Sequence, residues 1–146
     1  MILLDVRNEV IRLKRYYKTD NPLEIIKAKN ILLLKEELGV IHGYYNLVLR
    51  QKQIHINCNL DNHQEAFTIT HELGHAIMHP KSNTPFLLAK TYQSVDKMEI
   101  EANKFAVEFL ISDDILYEYL KCQEYTIEQT ARLLGYHKEL IELRLK

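Results

Sequence analysis

The chain has 146 residues, of which 47% are hydrophobic and 27% are charged, and its formal net charge is −1. These proportions are ordinary for one globular domain with its own core, and they exclude a disordered chain and a general attraction to nucleic acid or anionic membrane. The two cysteines, Cys58 and Cys122, form no CxxC pair, so neither a disulfide framework nor a cysteine-built zinc site is expected. The first residues show no apolar signal-peptide core, and no apolar run is long enough to cross a membrane. We therefore expect one cytoplasmic domain spanning residues 1–146.

The first predicted element is an amphipathic helix within residues 1–20. Apolar residues recur there at alternating steps of three and four, which predicts about four helical turns that pack one face against a core. These residues are Leu3, Val6, Val10, Leu13 and Tyr17. Asn21 then precedes Pro22, as a capping residue precedes a proline at the first helical position, so we expect a short second helix through Lys29.

The next segment has the pattern of β structure. A brief apolar run at residues 31–34 predicts a buried strand, and Gly39 lies in the turn that follows. Between residues 40 and 57, apolar and polar residues alternate on either side of the polar segment 50–52, which predicts a β-hairpin with its turn there. His55, in the second strand, is expected to face solvent. The fold class predicted is α+β, with a small sheet packed against helices.

The most informative motif follows, in a helix that we expect Asp61 or Asn62 to cap. Residues 71–75, His-Glu-Leu-Gly-His, match the HExxH pattern of zinc-dependent peptidases. Two imidazoles four residues apart lie one turn apart on a helix, so His71 and His75 can bind one ion, and Glu72 can hold a water on that ion. The alternative explanation is a chance arrangement among the seven histidines of the chain.

The remaining residues of this helix favour the metal site over chance. One stripe is apolar and is expected to face the core: Ala66, Ile69, Leu73, Ala76 and Ile77. A second stripe carries polar side chains: Thr68, His71, Glu72, His75 and His79. A helix with separate packing and ligand faces differs from a random surface cluster of histidines.

The end of this helix introduces two weaker candidates. Pro80 has no amide donor and disfavours helix at His79, so the helix should end there. His79 lies eight residues, about 12 Å of rise, beyond His71, so one ion cannot reach both on a straight helix. We therefore expect His79 to form hydrogen bonds near the ligands rather than to bind metal. Tyr92 lies in the long connection 80–95, where it is a candidate for polarising a substrate carbonyl or a plain packing residue.

A third metal ligand is predicted from a helix over residues 96–111. One of its stripes is charged and is expected to be solvated: Glu101, Lys104 and Glu108. Another contains small residues that allow close helix approach: Glu99, Ala102, Asn103, Ala106 and Leu110. Glu99 is therefore on the inward side, where a carboxylate needs a cation, and Asn103 is one turn away, where it can orient a ligand histidine. Two alternatives stay open: Glu99 caps its own helix with Asp96, or Glu101 is the ligand.

The C-terminal residues predict several short helices. Ser112 should cap a helix that continues to about Lys121, and a helical pair should occupy 124–146 with a capping box at Thr126 and a stop at Gly135. This helix, glycine turn, helix arrangement resembles a helix-turn-helix DNA reader. The second helix carries glutamates as well as basic residues, which favours packing or docking of a protein partner over contacts with phosphates.

The two helical motifs together resemble the ImmA/IrrE family of metallopeptidases, found in mobile elements, phages and stress-response systems. The resemblance is carried by HELGHAIMH and MEIEANKFAVEFLIS, and it extends to GYYNLVLRQKQIHIN and YTIEQTARLLGYHKELIELRL, so it covers most of the chain from about Pro22. It implies that His71, His75 and Glu99 bind zinc and that Glu72 is the catalytic acid/base. It also implies a narrow substrate, usually a helix-turn-helix repressor encoded alongside the protease. The ExxxD pattern of thermolysin-like peptidases agrees on Glu99 but has aspartate where this chain has Asn103.

The sequence thus predicts a zinc-dependent endopeptidase that binds one Zn²⁺ through two histidines and a glutamate. Such a site leaves one position open for water, and the metal lowers the pKa of that water toward about 7. Glu72 is expected to take the proton of this water and pass it to the leaving amine. The ligand set favours zinc but also accepts manganese. The alternative function is a DNA-binding or repressor-binding regulatory module with a metal site that does not hydrolyse.

Overall fold

The computed structural model describes residues 3–82 and 96–146, and these ranges form the predicted α+β fold. The strands are β1 Leu32–Glu36, β2 Gly43–Val48 and β3 Gln51–Asn57. The helices are α1 Leu3–Tyr17, α2 Pro22–Ala28, α3 Asn62–Met78, α4 Lys97–Leu110, α5 Asp113–Tyr117, α6 Ile127–Leu134 and α7 Lys138–Arg144. A π-helical turn, Glu118–Cys122, continues α5, so the helix predicted from Ser112 to about Lys121 changes its hydrogen-bonding pattern midway. Within the described ranges, no helix is long and apolar enough to cross a membrane.

The sheet has the order β1-β3-β2, with β1 parallel and β2 antiparallel to the central strand. Its inner face places Tyr45, Ile54 and Ile56 in the core, fully buried. The predicted hairpin is present, but its turn at 50–52 is wrong: residues 51 and 52 belong to β3, and the turn is Leu49 and Arg50. Both have positive φ, 49° and 68°, as a two-residue type I′ turn requires. Leucine and arginine rarely adopt this conformation, so their identities gave no turn signal.

Two further predictions about the sheet are wrong. β1 is not a buried strand: it lies at the edge of the sheet, and Leu32 is 45% exposed, while the buried Ile31 comes just before the strand. His55 does not face solvent, because the flanking strands cover it. Its ring stacks on that of Tyr44 from β2, and its Nδ1 lies 2.5 Å from Glu36 Oε1 of β1.

The two N-terminal helices form as predicted. In α1 the repeated apolar side chains of Val6, Val10 and Leu13 are buried, and the helix packs against α4. Pro22 begins α2, and the Asn21 side chain accepts a hydrogen bond from the amide of Leu23. The local sequence pattern therefore determines both the buried face of α1 and the capped start of α2.

Helix α4 joins two apolar clusters. Phe105 and Phe109 pack in the first cluster with the sheet, α1 and α3, while Val107 packs in the second with α6 and α7. α4 is therefore enclosed on several sides. This enclosure makes the predicted solvated stripe wrong, since its charged residues are nearly or fully buried: Glu101, Lys104 and Glu108.

The C-terminal helices close over α4. Thr126 and Gln129 form the predicted capping box at the start of α6, and Gly135 ends that helix with φ of 82°. In α7, Leu140 and Ile141 are buried, and the helix packs on α4. The pair therefore serves as packing for the helix that carries Glu99.

Candidate metal centre

Helix α3 carries the HExxH motif and is held at both ends. At its start, the Asp61 side chain accepts from the amide of Gln64, whose side chain accepts from the amide of Asp61 in return. Near its end, Lys52 Nζ donates to the carbonyl oxygen of Ala76 over 2.8 Å, and the Tyr45 hydroxyl donates to that of Pro80 over 2.6 Å. A cation near the last carbonyls of a helix also matches the helix dipole. The sheet thus fixes the turn of α3 that carries the histidines.

The motif lies on the inner side of this helix. His71, Glu72 and His75 are all fully buried, and each offers an atom of metal-ligand type within 4.8 Å of the other two. The polar stripe predicted from the sequence is thus an interior face. Of the predicted apolar stripe, Ile69, Leu73 and Ala76 are buried and Ile77 is partly buried, but Ala66 is exposed because it lies on the first, less enclosed turns.

Helix α4 brings a carboxylate to both histidines. Glu99 Oε1 lies 3.3 Å from His71 Nε2, and Glu99 Oε2 lies 2.6 Å from His75 Nε2. The close approach of α4 to α3 occurs at Gly74, where a Cβ would lie only 3.0 Å from the Cβ of Phe105. The absence of a side chain at this glycine therefore allows the two helices to present all three groups to one point.

Glu99 lies at the start of α4, next to the cap of that helix. Asp96 does cap α4, because its side chain accepts from the amide of Glu99 over 3.2 Å. The carboxylate of Glu99, however, lies against the two histidines. Glu101 lies elsewhere: its Oε1 is 3.0 Å from Nε2 of His79.

The electrostatics keep these groups in the forms that bind a metal. Burial raises the pKa of Glu99, but contacts with His71 and His75 outweigh it and lower the pKa to about 2. Burial lowers the pKa of His75 below its ordinary value of 6.5. At neutral pH the glutamate is therefore an anion, and the imidazole of His75 is neutral with a lone pair to donate.

The donor set fits a metal ion. Two imidazole nitrogens and one carboxylate are the ligands of many catalytic zinc sites, in which a further position stays open. His75 Nε2 and Glu99 Oε2 approach to 2.6 Å without forming a hydrogen bond of good geometry. Buried atoms that converge in this way are better satisfied by a shared cation than by each other.

Three further residues, His79, Asn103 and Tyr92, were predicted to support the site without binding the metal. His79 Nδ1 lies 2.9 Å from His75 Nδ1, so His79 does form hydrogen bonds at the helix end beside a candidate ligand. Asn103 is buried on α4, one turn from Glu99. Tyr92 lies outside the described residues. The charge of Glu101 indicated exposure, so the sequence did not predict its contact with His79. The i, i+4 spacing of His75 and His79 was the available signal, since it places the two rings on one face at this end of the helix.

The chain is similar to known proteins along most of its length. The model of the Peptidase M78 family, the IrrE N-terminal-like domain, matches residues 26–146. The chain is 42% identical over 140 residues to "Uncharacterized immunity region protein 2" of Bacillus phage phi105, covering 95% of this chain and 88% of that protein. It is 34% identical over 129 residues to "Metallopeptidase ImmA" of Bacillus subtilis (strain 168), covering 86% of this chain and 75% of that protein.

Proposed function

The chain belongs to the Peptidase M78 family of IrrE N-terminal-like metallopeptidases, and on this premise we propose that it is a zinc-dependent endopeptidase that cleaves a transcriptional repressor. The observation that carries the proposal is the buried group of His71, Glu72 and His75 with Glu99 beside it. These residues come from two helices that the surrounding packing holds together. A structural role alone would not explain four buried ionisable side chains around one point.

In this proposal His71, His75 and Glu99 hold one Zn²⁺. Two neutral imidazoles and one carboxylate leave the ion with a net positive charge, as hydrolytic zinc sites require. When bound, the ion acts as a Lewis acid toward the scissile carbonyl and lowers the pKa of a water molecule. The burial of the three ligand side chains would keep bulk solvent away from the bound ion, in surroundings where electrostatic interactions are stronger than in water.

Glu72 is the proposed acid/base. It follows His71 directly in α3 and is fully buried beside both histidines. Its carboxylate accepts the proton of the attacking water and then delivers it to the nitrogen of the leaving amine. In this proposal Glu72 does not bind the metal. Its replacement should therefore slow the cleavage of the substrate strongly and change the metal affinity little.

The sheet offers a place for the substrate. In the described ranges β2 lies at the edge of the sheet next to α3, and its partner strand is β3 alone. An extended peptide can add to such an edge through backbone hydrogen bonds. We propose that the target supplies a flexible or locally unfolded segment. A folded helical domain cannot add to the sheet, because its backbone groups are already hydrogen-bonded within its own helices.

Two relatives of the chain suggest the identity of the target. The phi105 protein is named for an immunity region, and ImmA is named a metallopeptidase. We propose that the substrate is a helix-turn-helix repressor encoded near the gene of this chain. A cytoplasmic site of action fits this substrate and the two exposed free thiols, Cys58 and Cys122.

The DNA-binding alternative has less support. Arg144, the arginine of the second helix in the helix-turn-helix interpretation, is only 4% exposed. Its guanidinium donates to the carbonyl oxygen of Ile111 and to Asp113. A side chain engaged in this way does not reach a phosphate. A module that binds the repressor without cutting it remains the competing function to test.

The decisive experiment incubates the purified protein with the repressor from the neighbouring gene, with and without a chelator. The intact masses of the products are then measured. New fragments that sum to the substrate plus one water, and that disappear with chelator, are the expected result. Stable complex formation without fragments would instead assign a binding function.

A further inference from the structure

We propose that His79 and Glu101 form a hydrogen-bonded relay that sets the tautomer and ring orientation of His75, a role that rests on the proposed metal-binding function of His75. Glu101 accepts a hydrogen bond from His79, and His79 accepts one from His75. Neither residue touches the metal or the substrate in this proposal, so both are positioning residues.

The geometry of the relay is continuous. His79 Nδ1 lies 2.9 Å from His75 Nδ1, and His79 Nε2 lies 3.0 Å from Glu101 Oε1. The backbone of His79 is also fixed, because its amide donates to the carbonyl oxygen of His75 over 2.7 Å. The two imidazoles therefore stay one helical turn apart, with ring centroids separated by 5.1 Å.

The positions of the protons follow from the ring atoms that face each other. His75 Nε2 faces Glu99, the side on which a metal is held, so this atom must offer a lone pair and the proton must be on Nδ1. That proton can be donated only to an unprotonated Nδ1 of His79. His79 then carries its own proton on Nε2, which donates to the carboxylate of Glu101. One arrangement of protons therefore satisfies both hydrogen bonds of the relay.

The burial of His79 and Glu101 strengthens the hydrogen bonds of the relay. The side chains of His79 and Glu101 are 9% and 6% exposed, so water cannot easily replace either partner. In an interior of low polarity a hydrogen bond to a carboxylate is strong, and the unpaired alternative is costly. A metal-bound histidine whose other nitrogen donates to such a partner keeps its ring orientation and becomes a more basic ligand.

The relay distinguishes the two histidines of the motif. Within residues 3–82 and 96–146, the Nδ1 atom of His71 has no hydrogen-bond partner. His75 has one. Helix α4 therefore contacts His75 through two carboxylates, directly through Glu99 and indirectly through Glu101.

The relay is tested by zinc affinity, measured by competition with a chromophoric chelator. We expect His79→Phe and Glu101→Ala to weaken binding roughly 10- to 100-fold, the range for residues that support a metal ligand. Glu101→Gln keeps an acceptor oxygen and should retain more affinity than Glu101→Ala. The matched control is Glu108→Gln, since Glu108 is an equally buried carboxylate of α4 that pairs with Lys104 instead. It should reduce stability and leave zinc affinity unchanged.

Nitrogen NMR of the zinc-loaded wild type gives a second measurement that needs no variant. The expected spectrum shows His75 protonated on Nδ1 and His79 protonated on Nε2. Equal zinc affinity of wild type, His79→Phe and Glu101→Ala, or the opposite tautomer at His79, would overturn the relay while zinc binding itself stands. A wild type that binds no zinc overturns both the relay and the proposed function, whereas intact zinc binding without proteolysis overturns only the proposed function.

Discussion

Gly74 of α3 faces Phe105 of α4 so closely that a Cβ on the glycine would lie 3.0 Å from the phenylalanine Cβ. This contact lies within the HExxH motif, between Glu72 and His75, and it sets the distance from α3 to the helix that carries Glu99. The spacing of the two helices is therefore part of the candidate site. A glycine that normally weakens a helix is tolerated here because it permits this approach.

We expect Gly74→Val to destabilise the protein by about 1–3 kcal/mol, the usual cost of overpacking an interior. Zinc affinity should fall as well, roughly 10-fold, because the helices separate and Glu99 moves away from the histidines. Urea unfolding and chelator competition measure the two effects. The control is Ala66→Val on the exposed first part of α3, where only the propensity difference of about 0.5 kcal/mol applies. Equal effects at both positions would show that the close contact is unimportant.

Glu72→Gln should separate metal binding from catalysis. The amide keeps the shape of the side chain but cannot accept the proton of the attacking water, so cleavage should fall by about 10²- to 10⁴-fold. Metal content measured on the purified variant should remain one ion per chain. Proteolysis at the wild-type rate would remove Glu72 from the mechanism, and loss of the metal would make it a ligand instead.

Glu99→Ala should weaken zinc binding more than Glu101→Ala does. The first change removes a carboxylate that lies 2.6 Å from His75 Nε2, whereas the second removes a group that acts through His79. Chelator competition on both variants gives the order directly. The reverse order would assign the ligand role to Glu101.

Acidification should destabilise the metal-free protein in two steps. The folded pKa of His75 is below its ordinary value of 6.5, so the unfolded chain binds more protons and stability falls as the pH drops below 6.5. The folded pKa of Glu99 is about 2 against an ordinary 4.5, so its contribution is complete above pH 4.5 and is lost as the pH approaches 2. The urea midpoint of chelator-treated protein should therefore decrease from pH 7.5 to 3, and Glu99→Gln should flatten the decrease below pH 4.5. A wild-type midpoint that rises on acidification would contradict the buried neutral imidazole.

The parts of the fold that the sequence predicted are those encoded by local patterns. The apolar repeat of α1, the Asn21 and Thr126 caps and the inward stripe of Glu99 depend on residues within a few positions of each other. The errors involve distant partners or unusual backbone. Lys104 was predicted to be solvated because its partners cannot be recognised locally: they include carbonyl groups about forty residues further along the chain. The Leu49-Arg50 turn was not predicted because its residues have positive φ, although neither is glycine or asparagine.

Lys104 also provides a prediction for the interior of the protein. Its ammonium group is fully buried, lies 2.7 Å from Glu108 Oε2 and donates to the carbonyl oxygens of Leu143 and Lys146 at 3.0 and 2.9 Å. Lys104→Met should cost about 3–5 kcal/mol, because it removes one of the two cations that face the buried Glu108 and leaves the carbonyl groups at the end of α7 without their donor. Urea unfolding measures the change, and Lys35→Met is the control, since Lys35 pairs with Glu65 at the surface and its loss should cost no more than about 1 kcal/mol. A loss below 1 kcal/mol at Lys104 would mean that Arg144 alone balances the charge of Glu108, and α7 would then not depend on this lysine for its place on α4.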